Sequence, residues 1–208
     1  MRRINFGAVG AFVLGGLLIG SAAHAQPVKV EAALIEKTVQ GLFGHAPAEW
    51  QARIEQDETQ KACSLHRNQP PADVAKAISA REEKLVVLPA DGKLMGDWKS
   101  GEKLAQSGYG GRHTDDPKLP VGGNCYACHQ LSKKELSYGT MGPSLVEYGK
   151  IRKYKAEDVK AAYVKIFNSQ AVFPCSNMPR LGHSKHLSEQ QITDIVALLF
   201  DPESPVNK

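Results

Sequence analysis

The chain has 208 residues, 42% hydrophobic and 23% charged, which allows one ordinary domain with an extension, or two small domains, with apolar material enough for a core. Neither proportion points to a disordered chain or an integral membrane protein. The formal net charge of +4 leaves no basic field to attract nucleic acid or an anionic membrane surface.

Residues 1–25 read as a signal peptide. Arg2 and Arg3 form a positive start, Phe6 to Ile19 an apolar stretch, and Ala23-His24-Ala25 supplies small residues for cleavage before Gln26. The apolar stretch is shorter than the roughly 20 residues a spanning helix needs. The expected product is a periplasmic protein with no membrane anchor after cleavage. Removal takes two of the basic residues and none of the acidic ones, so the mature chain carries 24 against 22.

Residues 26–92 read as a mainly helical N-terminal extension. Val28 to Phe43 carries apolar residues at Val30, Ala33, Leu34, Val39 and Leu42, and Gly44 is a plausible stop. Pro47 opens a second helical stretch running toward Cys63 and Leu65. Pro70-Pro71 breaks the chain, a third helix is expected over Ala72 to Glu83, and Pro89 to Gly92 is a turn. The type of the apolar run Leu85 to Leu88 stays open.

Residues 93–208 read as a second domain. Asp97 to Gln106 predicts a helix with Trp98, Gly101, Leu104 and Ala105 along one side, followed by a Gly-rich loop from Ser107 to Gly123. The last helix opens at Ser188, an N-cap with Gln191 three residues on. It carries the stripe Ile192, Ile195, Val196 and Leu199, and ends at Asp201-Pro202.

The strongest chemical signal is Cys125-Tyr126-Ala127-Cys128-His129. Cysteines three apart share one side of a helical turn, so both thiols can form thioethers with one haem c, and His129 follows as the iron ligand. A thioredoxin-like pair needs no His and sits at a helix start after a strand. A zinc site needs further ligands, and there is no second C-x-x-C.

The expected second axial ligand is Met178, in Pro174-Cys175-Ser176-Asn177-Met178-Pro179-Arg180. The residue before a proline is held extended, which suits a loop presenting a thioether. Met95 precedes the haem motif. Met141 lies beside Gly142-Pro143, where the Pro143 carbonyl can accept from His129 Nδ1–H and fix the ring. His183 and His186 are the alternative ligands, or surface residues. Arg180, Lys150 and Arg152 read as solvated charges, with contact to haem propionates or an anionic channel as the alternative. Cys63 and Cys175 form an even remainder, which in an oxidising compartment predicts a disulfide. Two free thiols are the alternative.

The segments GNCYACHQ, GTMGPSLVEYGK, FPCSNMPRLG and LSEQQITDIVALLFDPESPVNK resemble the SoxX family, the small haem subunits of SoxAX complexes in bacterial thiosulfate oxidation. The similarity covers about residue 121 to the C-terminus and is weak over 26–92. The resemblance implies an all-α fold, a class I cytochrome c domain behind the helical extension. It implies a heterodimer with a SoxA-type cytochrome subunit, whose own cysteine is catalytic, so no catalytic residue is assigned here. Thiosulfate would be conjugated oxidatively to a cysteine of the carrier SoxYZ, and the released electrons would pass through this chain to a diffusible cytochrome c. The haem motif by itself equally allows a free periplasmic electron carrier. A gas or redox sensor is the third possibility, disfavoured by a Met ligand.

Overall fold

The computed structural model describes residues 30–51, 53–112 and 114–208. The expected signal peptide and Val28 lie outside these residues. Among the described residues the regular elements are helices and 3-10 turns, with no strand, so the fold is all-α. None of these helices is long and apolar enough to cross a membrane.

The chain divides into two compact units, Met1–Leu42 and Phe43–Lys208. In the described part of the first, α1 (Ala32–Phe43) buries no residue, and Leu34, Ile35 and Leu42 are all more than half exposed. The second unit takes in the rest of the extension together with everything from Lys93 onward.

Within the second unit, the helical stretch expected from Pro47 to Leu65 is broken in two. The short α2 (Ala48–Gln51) stops early, and α3 (Glu58–Leu65) starts afresh. The break follows from Asp57, whose carboxylate accepts from Gln60 N–H while the Gln60 side chain accepts from Asp57 N–H. That reciprocal cap makes Asp57 a helix start. α4 (Ala72–Glu83) follows Pro70-Pro71 and buries Ile78 and Glu82. Residues 85–88 form no helix or strand. The run is pinned where the Tyr163 hydroxyl donates to the Val87 carbonyl at 3.1 Å.

α5 (Trp98–Gln106) is capped by the Asp97 carboxylate and crosses α9 (Glu189–Phe200), the most extensive helix pairing among the described residues. A glycine permits the crossing: a Cβ on Gly101 would lie 2.0 Å from the Asp194 carbonyl oxygen. Asp194 Oδ1 in turn accepts from Asp97 N–H at 2.9 Å. α9 has the capping box at Ser188 and Gln191, but it is buried from Ile192 through Phe200 rather than along one stripe.

The helices that close around α9 carry weaker signals. α6 (Tyr148–Ile151) is a single turn. α7 (Ala156–Phe167) buries Ala162, Tyr163, Ile166 and Phe167 at helical spacing, and α8 (Ser169–Val172) is one more turn after Asn168. The C-terminal tail seals the end of α9. The Asn207 amide donates to the Leu199 and Asp201 carbonyls, and its Oδ1 accepts from Gly149 and Lys150 N–H. Carbonyls at a helix end need such partners when buried.

Candidate functional site

Cys125 lies in a 3-10 turn, Cys125–Ala127, entered through Asn124 in the left-handed region at φ 52°. The Cys125 carbonyl accepts from both Cys128 N–H (3.1 Å) and His129 N–H (2.9 Å). Both motif thiols are therefore carried on one tight turn, each partly buried, and neither is in a disulfide. Burial pushes the Cys125 thiol up to about 12. A neutral thiol is the opposite of what an activated C-x-x-C nucleophile requires.

The framework above this turn is the α5–α9 crossing. The Leu104 carbonyl accepts from Gly123 N–H, the Ser107 carbonyl accepts from Asn124 N–H, and Cys125 packs on the core that contains Ala105 and Ile195. Below it, the chain from Gly139 to Leu145 folds back along the motif. Gly139, Gly142 and Leu145 N–H donate to the carbonyls of Tyr126, Cys128 and Gln130.

This return strap holds the His129 ring. His129 Nδ1 lies 2.7 Å from the Pro143 carbonyl oxygen. A carbonyl can only accept, so the proton sits on Nδ1 and Nε2 keeps the lone pair available to a metal. The ring rests against backbone: a Cβ on Gly142 would come within 2.2 Å of His129 Cε1.

Of the three methionines that compete for the second position, Met141 is 80% and Met95 40% exposed, while Met178 is partly buried and packs against the main core. His186 is occupied elsewhere, its Nε2–H donating to the Gly122 carbonyl at 2.9 Å. His183 is half-buried and close enough to Asp57 to help lower that carboxyl.

The segment that carries Met178 is fastened to distant residues. Cys175 is disulfide-bonded to Cys63 with Cα atoms 5.3 Å apart. Ser169 Oγ donates to the Met178 carbonyl, and Asn68 Nδ2 donates to Asn177 Oδ1 at 3.3 Å. Arg180 is not the solvated charge expected from the sequence. Its side chain is 13% exposed, and its guanidinium forks between Asp57 and Glu82, the latter 2% exposed and 3.2 Å away. Glu82 also accepts from the Thr59 hydroxyl and the Asn168 amide. Burial alone would raise both carboxyls, but the Gln60 N–H and Arg180 hold Asp57, and Thr59, Asn168 and Arg180 hold Glu82, below their ordinary values. By contrast Lys150 is exposed and pairs with Glu147, and the Arg152 guanidinium stacks 3.5 Å above the Tyr148 ring.

The donor set fits a covalently attached haem. Two unpaired thiols and an imidazole with a fixed free nitrogen share one turn, and Met178 is the one of the three methionines that packs against the main core. Among the described residues there is no cluster of three or more His, Cys, Asp or Glu of the kind that holds a bare metal ion.

Sequence reading missed Asp57, Thr59, Glu82 and Asn168. Buried charge on α4 leaves no periodic trace, and the available signals were Gln60 three residues after Asp57 and a charged Arg180 two residues after a candidate ligand.

No family model matches the chain. Over 193 residues it is 38% identical to a protein described as an uncharacterized lipoprotein of Aquifex aeolicus (strain VF5), covering 90% of this chain and 89% of that protein. With a similarity of that extent along nearly the whole of both sequences, the chain belongs to the same family as the Aquifex aeolicus lipoprotein.

Proposed function

We propose that the chain is a class I c-type cytochrome that carries one haem on Cys125 and Cys128, with His129 and Met178 as axial ligands. We propose further that it serves as the electron-transfer subunit of a SoxAX-type L-cysteine S-thiosulfotransferase. The observation that supports haem most directly is the His129 ring, its Nδ1 held by Pro143, on the same turn as two unpaired thiols. Haem bound there supplies a centre that takes up and gives back one electron at a time. Pro143 sets the tautomer and direction of His129. The Gly142 backbone keeps the ring from tilting. A thioether from Met178 raises the reduction potential relative to a second imidazole.

The thiosulfate assignment follows from the SoxX-like C-terminal half, in which Asn207 and Ser204 lock α9. No catalytic residue is placed on this chain, since Cys63 and Cys175 are engaged with each other. The partner is a SoxA-type cytochrome, with carrier SoxYZ and a diffusible cytochrome c before and after it. The signal-like N-terminus supports export, as does a relative whose name is lipoprotein. We assign the exported chain to the periplasm.

Purification from the native periplasm after growth on thiosulfate, with haem staining and mass spectrometry, tests the assignment. A second haem-bearing chain, and thiosulfate-dependent reduction of an acceptor cytochrome by the pair, is the expected outcome. A one-haem monomer without a partner would replace it with a free electron carrier. One observation favours that second reading: much of the extension packs on this chain itself through Glu82, Cys63 and Val87. Partner binding is then not needed to account for it.

A further inference from the structure

We infer that residues 57–83 form a brace whose work is to hold Met178 in place as a ligand. Asp57, Glu82, Arg180 and the Cys63–Cys175 disulfide act as positioning residues. The inference rests on the haem ligation proposed above and assigns a role that the haem motif does not require.

The attachments bracket Met178 on both sides. Before it, Cys175 is tied to α3 by the disulfide, and the Gln170 amide donates to the Ser176 carbonyl at 3.0 Å. Met178 N–H donates to Ser176 Oγ at 3.2 Å, and its carbonyl accepts from Ser169 Oγ. After it, Arg180 is clamped between the cap residue of α3 and the buried end of α4. The backbone through Met178 is thereby fixed at either end by α3 and α4, helices that lie about a hundred residues earlier in the chain.

The energetics favour positioning over bulk stability. A buried ion pair contributes little relative to apolar residues of the same volume, because both charges must leave water. What Arg180 and Glu82 provide that a leucine pair could not is direction. A guanidinium held by two carboxylates accepts few geometries. A thioether is a neutral, weak ligand, so its occupancy against competing ligands depends on how little freedom the segment loses when the sulfur binds. A segment already immobilised loses little.

The test is displacement of the axial sulfur by imidazole in the ferric holoprotein, followed by the sulfur-to-iron charge-transfer band, with the reduction potential measured alongside. Asp57→Asn, Glu82→Gln and the double variant Cys63→Ser with Cys175→Ser are compared with Glu203→Gln, which disturbs only a surface pair with Lys208. The brace predicts displacement at roughly tenfold lower imidazole in the Asp57 and disulfide variants, and a lowered potential, with Glu203→Gln like wild type. Glu82→Gln risks failing to fold. Asp57→Asn does not share that risk, because Asp57 is 41% exposed and Arg180 keeps Glu82. Displacement within twofold of wild type in both the Asp57 and disulfide variants overturns the brace while leaving Met178 as ligand. A wild-type holoprotein with no charge-transfer band overturns Met178 ligation itself, and the brace with it.

Discussion

The turn from Asn124 to Gln130 and the segment from Cys175 to Arg180 carry the two proposed iron ligands, yet they are held in opposite ways. His129 is fixed by Pro143, fourteen residues on, and by a strap of backbone hydrogen bonds from Gly139, Gly142 and Leu145. Met178 sits in a segment whose partners include a disulfide 112 residues away and ion pairs 98 and 123 residues away. A locally closed site can be encoded in a short motif. A site closed by remote groups needs the whole chain folded before it exists, so its stability and its ligand geometry rise or fall together.

The largest expected separation between the two regions comes from the disulfide. In the chain-entropy model, a bridge closing a loop of this length contributes about 4–5 kcal/mol. Replacing Cys63 and Cys175 by Ser should lower the urea-derived unfolding free energy by that order while leaving covalent haem attachment at Cys125 and Cys128 intact. Equal loss of haem attachment would show that the two regions are not independent.

Next comes Arg180→Leu, which takes the nearer cation from Glu82 at 2% exposure and leaves Arg81 Nε 3.8 Å away. Breaking a buried pair from one side costs about 3–5 kcal/mol. Thr59 and Asn168 remain as donors, so the lower end is expected in the same urea measurement. A cost below about 1 kcal/mol, the level of a surface pair, would mean that solvent reaches Glu82.

The third change addresses the other region. Gly142→Ala places a methyl against the His129 ring, where a Cβ would stand 2.2 Å from Cε1 and 2.5 Å from Nδ1. The ring or the strap must shift, at about 1–3 kcal/mol, and the bond to Pro143 is lost with it. The expected signature is an altered proximal imidazole resonance and a shifted potential, with imidazole displacement of Met178 unchanged. Displacement changing in step with the potential would break the separation drawn here.

The same contrast explains what could be read without a structure. Cys125, Cys128, His129 and Pro143 were legible because each is tied to the others within one short stretch, where spacing carries geometry. The α5 helix was legible from the residues along one side, and α9 from the Ser188 cap and its apolar period. The full burial of α9 was not, because Asp194 faces Gly101 through a close approach that periodicity scores as a polar exposed position. The break between α2 and α3 was missed because Asp57 looked like any acidic residue, although Gln60 three places on is the capping-box signal. Arg180 was misjudged for a deeper reason. A charge is buried only if partners from elsewhere in the chain meet it, and those partners, Asp57 and Glu82, stand in a region where resemblance is weak.

The smallest expected effect is the response to acid, which sharpens the comparison because the two carboxylates of the brace both serve the Met178 segment. Burial alone would raise the Asp57 carboxyl, but the Gln60 N–H and the Arg180 guanidinium outweigh it; for Glu82 the Thr59 hydroxyl, the Asn168 amide and Arg180 do the same. Both folded values lie below the ordinary 3.8 and 4.5. The unfolded chain therefore binds protons first as the pH falls. The stability these groups contribute is complete above the unfolded values and is lost as the pH drops through the lowered folded ones, so neutral conditions leave it untouched. Thermal unfolding followed by circular dichroism should show the midpoint of the wild type falling more steeply below about pH 4 than that of Asp57→Asn. Asp97, Asp115 and Glu147 are also lowered and remain in both proteins, so only the difference between the two curves reports on the brace. Parallel curves would mean that Asp57 does not hold Arg180 in solution. A reduced slope with an unchanged charge-transfer band would keep the ion pair and remove its claim on Met178.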